Sequence, residues 1–232
     1  MGAFRFKRFT ISNDRAALKL GTDAVLLGAA MSLSGKANPR VLDIGTGTGV
    51  IALMAAQRYP GARVEAIDID PPSAQEAADN FAASPWADRL EAKNVALEDF
   101  DPGCSYDHIF SNPPYYEDSL RNPDGREATA RHTVEMSWRD IAAFAARHLG
   151  AGGHLSLILP AACERELRRG AASFGLYPFR TVRVRTTGKK PPGRLIMEFR
   201  LERGTEMEEE LILQDGPART AQYTELTKDF YL

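Results

Sequence analysis

Cysteine is nearly absent. Cys104 and Cys163 are the only two, and without a CxxC or CxxH spacing they build neither a disulfide framework nor a zinc ligand set. Histidine is also sparse: His108, His132, His148 and His154 show no metal-ligand spacing, so no metal is expected. No apolar run is long enough to span a bilayer, and the opening MGAFRFKRFT holds no apolar signal core. A cytoplasmic chain with no membrane partner is the expectation. Charge of one sign is not in excess either. A net charge of −2 excludes a molecule that binds polyanions over its whole surface, so any nucleic-acid surface has to be local. Internal repeats and low-complexity linkers are missing, which leaves one globular domain as the simplest organisation for 232 residues.

What is present, 44% apolar and 26% charged residues, is ordinary for a soluble globular protein, so pattern rather than composition carries the reading. Residues 4–11, FRFKRFTI, alternate aromatic and basic like a short strand. In the following segment Thr22 or Asp23 is placed to cap a helix running through Met31. From residue 40 strands and helices alternate. RVLDIG (40–45), ARVEAIDI (62–69), RLEAKNV (89–95), YDHIFSN (106–112) and GHLSLILP (153–160) read as strands. Residues 49–59, 72–84, 136–150 and 162–175 read as helices, the third ending at Gly150. This alternation predicts an α/β, doubly wound, mostly parallel sheet with helices on both faces. It also divides the chain into an N-terminal strand and helix extension (1–39) packed on a core (40–232). At the end, FRTVRVRT (179–186) and RLIMEFRLE (194–202) form a strand pair with a basic tip, TGKKPPG; EEELILQD (208–215) reads as one more strand, and the last segment as weakly helical.

DIGTGTG (43–49) lies between a strand and a helix. Glycines there permit positive φ and close approach of backbone to a ligand, and the helix start offers amides to a nucleotide or a carboxylate. The dinucleotide fingerprint is G-x-G-x-x-G, whereas Gly45, Gly47 and Gly49 are evenly spaced. The next strand ends in Asp68-Ile69-Asp70. Asp68 is placed to accept hydrogen bonds from ribose hydroxyls, with Ile69 against an adenine face, and Asp70 is at least as well placed to cap the next helix.

SNPPYY (111–116) follows the fourth strand, at the sheet edge where ligands of open parallel sheets sit. Asn112 and Pro113 each precede a proline and are pushed to extended conformations. Neither Pro113 nor Pro114 has an N–H, while the carbonyls and the Asn112 side-chain oxygen remain acceptors. Such a stiff acceptor cluster matches a planar NH2 group, and Tyr115 adds a flat face for an aromatic base.

Together DIGTGTG and SNPPYY resemble the N6-adenine and N5-glutamine branch of the class I S-adenosylmethionine-dependent methyltransferases. FRFKRFTISNDRAALKLGTDAVLLGAA, the double tyrosine with the polar arm after it, and the LTKDFYL ending are similar to the bacterial tRNA1(Val) (adenine(37)-N6)-methyltransferases, and the likeness covers nearly the whole chain. The resemblance implies a Rossmann-like, seven-stranded sheet with the last strand antiparallel. It implies S-adenosyl-L-methionine as cofactor and, as partner, a tRNA whose anticodon-loop adenine is the target. Asp43, Gly45, Thr46, Gly47 and Gly49 take the cofactor-loop role, Asp68 and Ile69 the ribose and adenine role, and Asn112, Pro113, Pro114 and Tyr115 the catalytic, target-amine role. Gly21, Thr22 and Asp23 match a segment that closes over the methionine end. One position departs from the pattern: related enzymes often carry an acid after the third strand, and here Ala96 stands there, with Asp99 nearby.

Residues 178–194 carry Arg180, Arg183, Arg185, Lys189, Lys190 and Arg194 and no acid, with Arg183 and Arg185 on one strand face. They form a candidate phosphate-binding surface, with Tyr116 and Arg131 as further substrate contacts and Arg5, Lys7 and Arg8 as a second cluster. The acids Glu206, Glu208, Glu209 and Glu210 would repel RNA and are expected on an edge facing away. Two rivals stand beside this reading. A glutamine N5-methyltransferase acting on a protein such as a release factor would use the same NPPY, but such enzymes usually carry a helical domain ahead of the glycine loop, and only 42 residues precede Asp43. An NAD-dependent oxidoreductase, or a nucleotide-binding module without methyl transfer, conflicts with the even glycine spacing and with NPPYY.

Overall fold

Short strands and a helix precede the regular alternation in the computed structural model, which describes residues 2–17, 19–114 and 136–232. The first elements are β1 (Ala3–Arg5), β2 (Thr10–Ser12) and α1 (Thr22–Ala30). The alternating part is β3 (Arg40–Ile44), α2 (Val50–Arg58), β4 (Arg63–Asp68), α3 (Pro71–Ala82), β5 (Leu90–Asn94), β6 (Tyr106–Ser111), α4 (Trp138–His148), β7 (Leu149–Pro160), α5 (Glu164–Ser173) and β8 (Tyr177–Thr187). Then come β9 (Arg194–Arg200), β10 (Met207–Asp215), β11 (Ala218–Arg219) and α6 (Ala221–Thr227).

The main sheet has the order β11-β10-β8-β9-β7-β6-β3-β4-β5. β5, β4, β3, β6 and β7 are parallel, and β9 runs antiparallel between β7 and β8. The strand count corrects the expectation of seven. β10 pairs in parallel with β8, and β11 adds an antiparallel strand beyond it, making nine among the described residues. Without them β8 would be a long exposed edge. The chain leaves β3 toward β4 and β5, then returns to β6 on the other side of β3. That reversal makes a crevice at the carboxyl ends of β3 and β6, the place where open α/β sheets bind ligands.

Alternation along the strands builds two apolar layers. Val41 faces the layer made by α1, α2 and the N-terminal hairpin, while Leu42 and Ile44 face the layer made by α4 and α5. Seven successive residues of α2, Val50–Ala56, are buried. A helix apolar all round fits a position between the sheet and α1. On the same layer, residues 4–11 are a hairpin rather than one strand. Phe6 donates its amide to the Phe9 carbonyl (2.9 Å), and the two rings stack at 4.5 Å between centroids. A spacing of three, not two, turns both rings inward. A second correction concerns α1. Its N-cap is Gly21, with no side-chain cap, and neither Thr22 nor Asp23 caps it. The helix expected to end at Gly150 stops at His148, and β7 starts at Leu149.

Candidate active site

β3 ends at Ile44, and Gly45, Gly47 and Gly49 then take φ of +70°, +55° and +79°. These left-handed values turn the chain between strand and helix at a cost only glycine avoids. A Cβ at Gly49 would lie 2.5 Å from Phe81 Cε1, so the loop also packs against α3. The Gly45 and Thr46 amides donate to the Ile67 carbonyl (2.9 and 3.1 Å), which ties the loop to β4.

At the end of β4 the two acids separate their tasks. Asp68 accepts the Gly47 amide through Oδ2 (2.8 Å) and the Asp70 amide through Oδ1 (2.9 Å). Asp70 caps α3, accepting the Ser73 amide (3.0 Å) and hydroxyl (2.6 Å) through Oδ2. Ile69 between them is 57% exposed, a large apolar side chain left open at the crevice. Asn94, at the end of β5, donates from Nδ2 to the carbonyls of Asp68 and Ile69 (3.0 Å each). Asn94 was not a sequence candidate; its signal was an amide residue closing RLEAKN. Ala96 opens a single turn at Leu97–Asp99, and Asp99 is exposed.

Asp43 is fully buried behind the loop. Its Oδ2 accepts the Thr46 hydroxyl (2.7 Å), and its Oδ1 has no hydrogen-bond partner among the described residues. Burial pushes its carboxyl up to about 7, against the Thr46 bond. Burial also raises Asp68, opposed by the amides of Asp70 and Gly47.

The end of β6 is fixed to the end of β3. Ser111 donates from Oγ to the Ile44 carbonyl (2.6 Å). β3 and β6 are paired neighbours, so the strand ends from which the glycine loop and Asn112-Pro113-Pro114 leave lie side by side, about one strand spacing (~4.8 Å) apart. Pro113 is buried and its two neighbours half-buried. Tyr115, Tyr116 and Arg131 lie outside the described residues. α1 and α2 both begin at this edge. Arg58, at the far end of α2, donates to the Gly28 and Met31 carbonyls at the far end of α1 (2.9 Å each). Asp23, in the first turn of α1, accepts from Arg194 Nε (2.7 Å).

The basic face of β8 differs from expectation. Glu206, Glu208, Glu209 and Glu210 do not face away. The parallel register sets Glu208 beside Thr181 and Glu210 beside Arg183. Arg183 pairs with Glu164 (2.8 Å) and Glu208 (3.1 Å), Arg185 with Glu210 (2.6 Å), and Arg180 with Glu209 (2.7 Å) and Glu198 (3.0 Å). Glu206 pairs with Arg168 (2.7 Å). Lys189 and Lys190 are exposed in the β8–β9 turn, with no carboxylate partner among the described residues.

One histidine cluster went unnoticed in the sequence. His108, His154 and Glu198 are buried together, three residues below the end of β6. Glu198 accepts from the Ser32 amide (2.7 Å) and hydroxyl (2.5 Å), the Ser156 hydroxyl (2.7 Å) and Arg180 Nη1 (3.0 Å). The two imidazoles stack at 4.0 Å, and burial holds His108 well below, and His154 below, the ordinary histidine value. A carboxylate with four donors and face-to-face rings suits a hydrogen-bond network that clamps the end of α1 to the sheet, not a cation site.

Comparison with known proteins gives four results. Residues 18–168 match the model of the methyltransferase small domain. The chain is 40% identical over 236 residues to the tRNA1(Val) (adenine(37)-N6)-methyltransferase of Bacteroides fragilis, covering 99% of this chain and 97% of the relative. It is 38% identical over 233 residues to the protein of the same name in Mannheimia succiniciproducens, with 99% and 94% covered. Among solved structures, a predicted O-methyltransferase from Agrobacterium tumefaciens superposes with a TM-score of 0.70 at 18% identity, covering 90% of this chain and 96% of that one, a likeness of fold alone.

Proposed function

This chain belongs to the methyltransferase small-domain family and to the tRNA1(Val) (adenine(37)-N6)-methyltransferases, and on that premise we propose that it methylates N6 of adenine 37 in the anticodon loop of a valine tRNA, with S-adenosyl-L-methionine as donor. The observation that carries the reading is the Ser111–Ile44 hydrogen bond, which fastens the strand end before the Asn112-Pro113-Pro114 corner to the strand end before the glycine loop. No helix among the described residues is long and apolar enough to cross a membrane.

The crevice fits the cofactor. The positive-φ loop offers backbone at close range, Asp43 Oδ1 is buried with no hydrogen-bond partner among the described residues, and Ile69 stands exposed at the end of β4. Gly45, Thr46, Gly47 and Gly49 would hold the methionine part with Asp43 behind them, and Asp68 the ribose with Ile69 against the adenine. Gly21, Thr22 and Asp23 flank the same edge. When bound, the cofactor supplies an electrophilic methyl group.

Asn112 and the carbonyl beside it act on the target. The N6 lone pair of adenine is delocalised into the ring, so the amine is a weak nucleophile. Accepting both of its hydrogens favours a more tetrahedral nitrogen and frees the lone pair. Pro113 and Pro114 hold the acceptors still, so positioning supplies most of the rate and no strong base is needed. Tyr115 offers the stacking face, with Tyr116 and Arg131 as further substrate contacts. A loop adenine suits this site, because only stacking has to be broken to expose it. For the RNA backbone Lys189 and Lys190, exposed and without a carboxylate partner among the described residues, are better placed than Arg183 and Arg185, which carry acid partners.

The test is an Asn112→Ala variant with undermodified tRNA, a release factor and labelled methyl donor. The wild type labels tRNA; the variant binds S-adenosylhomocysteine but loses turnover. Label found in the release factor alone overturns the tRNA reading, and undiminished turnover removes Asn112 from the mechanism.

A further inference from the structure

α1 is fastened unequally at its two ends. At its C-terminal end Arg58 Nη1 holds the Gly28 and Met31 carbonyls, Arg180 Nη1 holds the Ala30 carbonyl (2.7 Å), and Ser32 gives both amide and hydroxyl to Glu198. At its N-terminal end the cap residue is a glycine, Asn13 Oδ1 accepts the amide of the preceding Leu20 (2.9 Å), and the side-chain tie within the helix itself, among the described residues, is Asp23 Oδ2 to Arg194 Nε (2.7 Å). Arg194 is itself held in place. It is the first residue of β9, in register with Pro160 of β7 and Val184 of β8. Its Nη1 donates to the Gly193 carbonyl (3.0 Å), and the Gly193 amide donates to Val184 (2.9 Å).

A helix clamped at one end pivots about that end. Nine residues of α-helix make a lever of about 13 Å, so a tilt of roughly five degrees moves the N-terminal end by about 1 Å. Displacements of that size in a binding crevice are costly. From this geometry we infer that Arg194 is a positioning residue for the cofactor: acting through Asp23, it sets where Gly21, Thr22 and Asp23 stand along the crevice. The inference rests on the reading that the crevice takes S-adenosyl-L-methionine.

Calorimetry with S-adenosylhomocysteine, without RNA, tests it on wild type, Arg194→Gln, Arg194→Lys, Asp23→Asn and the Asp23→Asn/Arg194→Gln double variant. A partly exposed ion pair supports about a two- to fivefold weaker Kd for Arg194→Gln. Arg194→Lys, which keeps the charge, recovers part of the loss. The double variant binds no more weakly than Asp23→Asn alone, because the two side chains act as one pair. Wild-type affinity in Arg194→Gln, or losses that add in the double variant, overturns the inference. So does a loss of affinity that merely tracks a fall in melting temperature, which would make Arg194 a stability residue. A wild type that does not bind S-adenosylhomocysteine defeats the cofactor reading, and this inference with it.

Discussion

Asp68 accepts the Gly47 amide at 2.8 Å and so ties the end of β4 to the middle of the glycine loop. Its other oxygen takes the Asp70 amide, and Asn94 fastens the carbonyls of Asp68 and Ile69 from β5. Three neighbouring strand ends thus shape the crevice through hydrogen bonds of their own.

Asp68→Ala removes both the brace on Gly47 and the carboxylate proposed for the ribose. Hydrogen bonds to a charged group contribute about 1.5–3 kcal/mol each, so S-adenosylhomocysteine should bind roughly ten- to a hundredfold more weakly. Titration calorimetry reads this directly, and near-wild-type affinity would remove the assigned role.

Gly49→Ala should fail in folding before it fails in binding. The new Cβ meets Phe81 at 2.5 Å and Ala77 at 3.2 Å, at a φ of +79°. Backbone strain and overpacking together should cost about 2–4 kcal/mol of stability. Chemical denaturation monitored by circular dichroism measures the loss.

Asp43 should make stability depend on pH in an unusual direction. Its carboxyl is raised by burial from 3.8 to about 7, so the folded chain holds this proton more tightly than the unfolded one. The group's contribution is then most favourable at low pH, and declines from about pH 4 until pH passes 7. Asp43→Asn lacks the titration, so relative to wild type it should gain stability between pH 5 and pH 8. Urea denaturation of both proteins at the two pH values provides the comparison; an equal difference at both would mean that Asp43 is not shifted.

Lys189→Ala/Lys190→Ala should weaken binding of an anticodon-arm RNA and lower the slope of log K against log salt by about two. Arg183→Ala should change that slope less, because Glu164 and Glu208 already neutralise it. Fluorescence anisotropy across a KCl series distinguishes the two surfaces, and equal slopes for all the proteins would exclude the turn as an RNA contact.

The parts of the candidate site that the sequence marks share one property: each is short and local. DIGTGTG needs only the strand and helix beside it to place its glycines, Asp68 and Asp70 are assigned by their offset from a strand end, and the proline corner is stiff by its own covalent chemistry. Residues 4–11 alternate aromatic and basic like one strand yet form a hairpin, because the two inward rings, Phe6 and Phe9, are three apart.

By itself the sequence determined the alternating α/β order and the crevice motifs, since hydrophobic period and backbone permissiveness act over a few residues. Tertiary structure alone decided which charges remain free. β10 pairs directly with β8, although β9 separates them in the sequence, and that pairing sets Glu208, Glu209 and Glu210 against the arginines of β8. The Asp23–Arg194 tie and the network around Glu198 likewise join residues 171 and 166 positions apart. Such partners meet only when the whole sheet is assembled, because Coulomb attraction and hydrogen bonding depend on distance in space and leave no periodic trace along the chain.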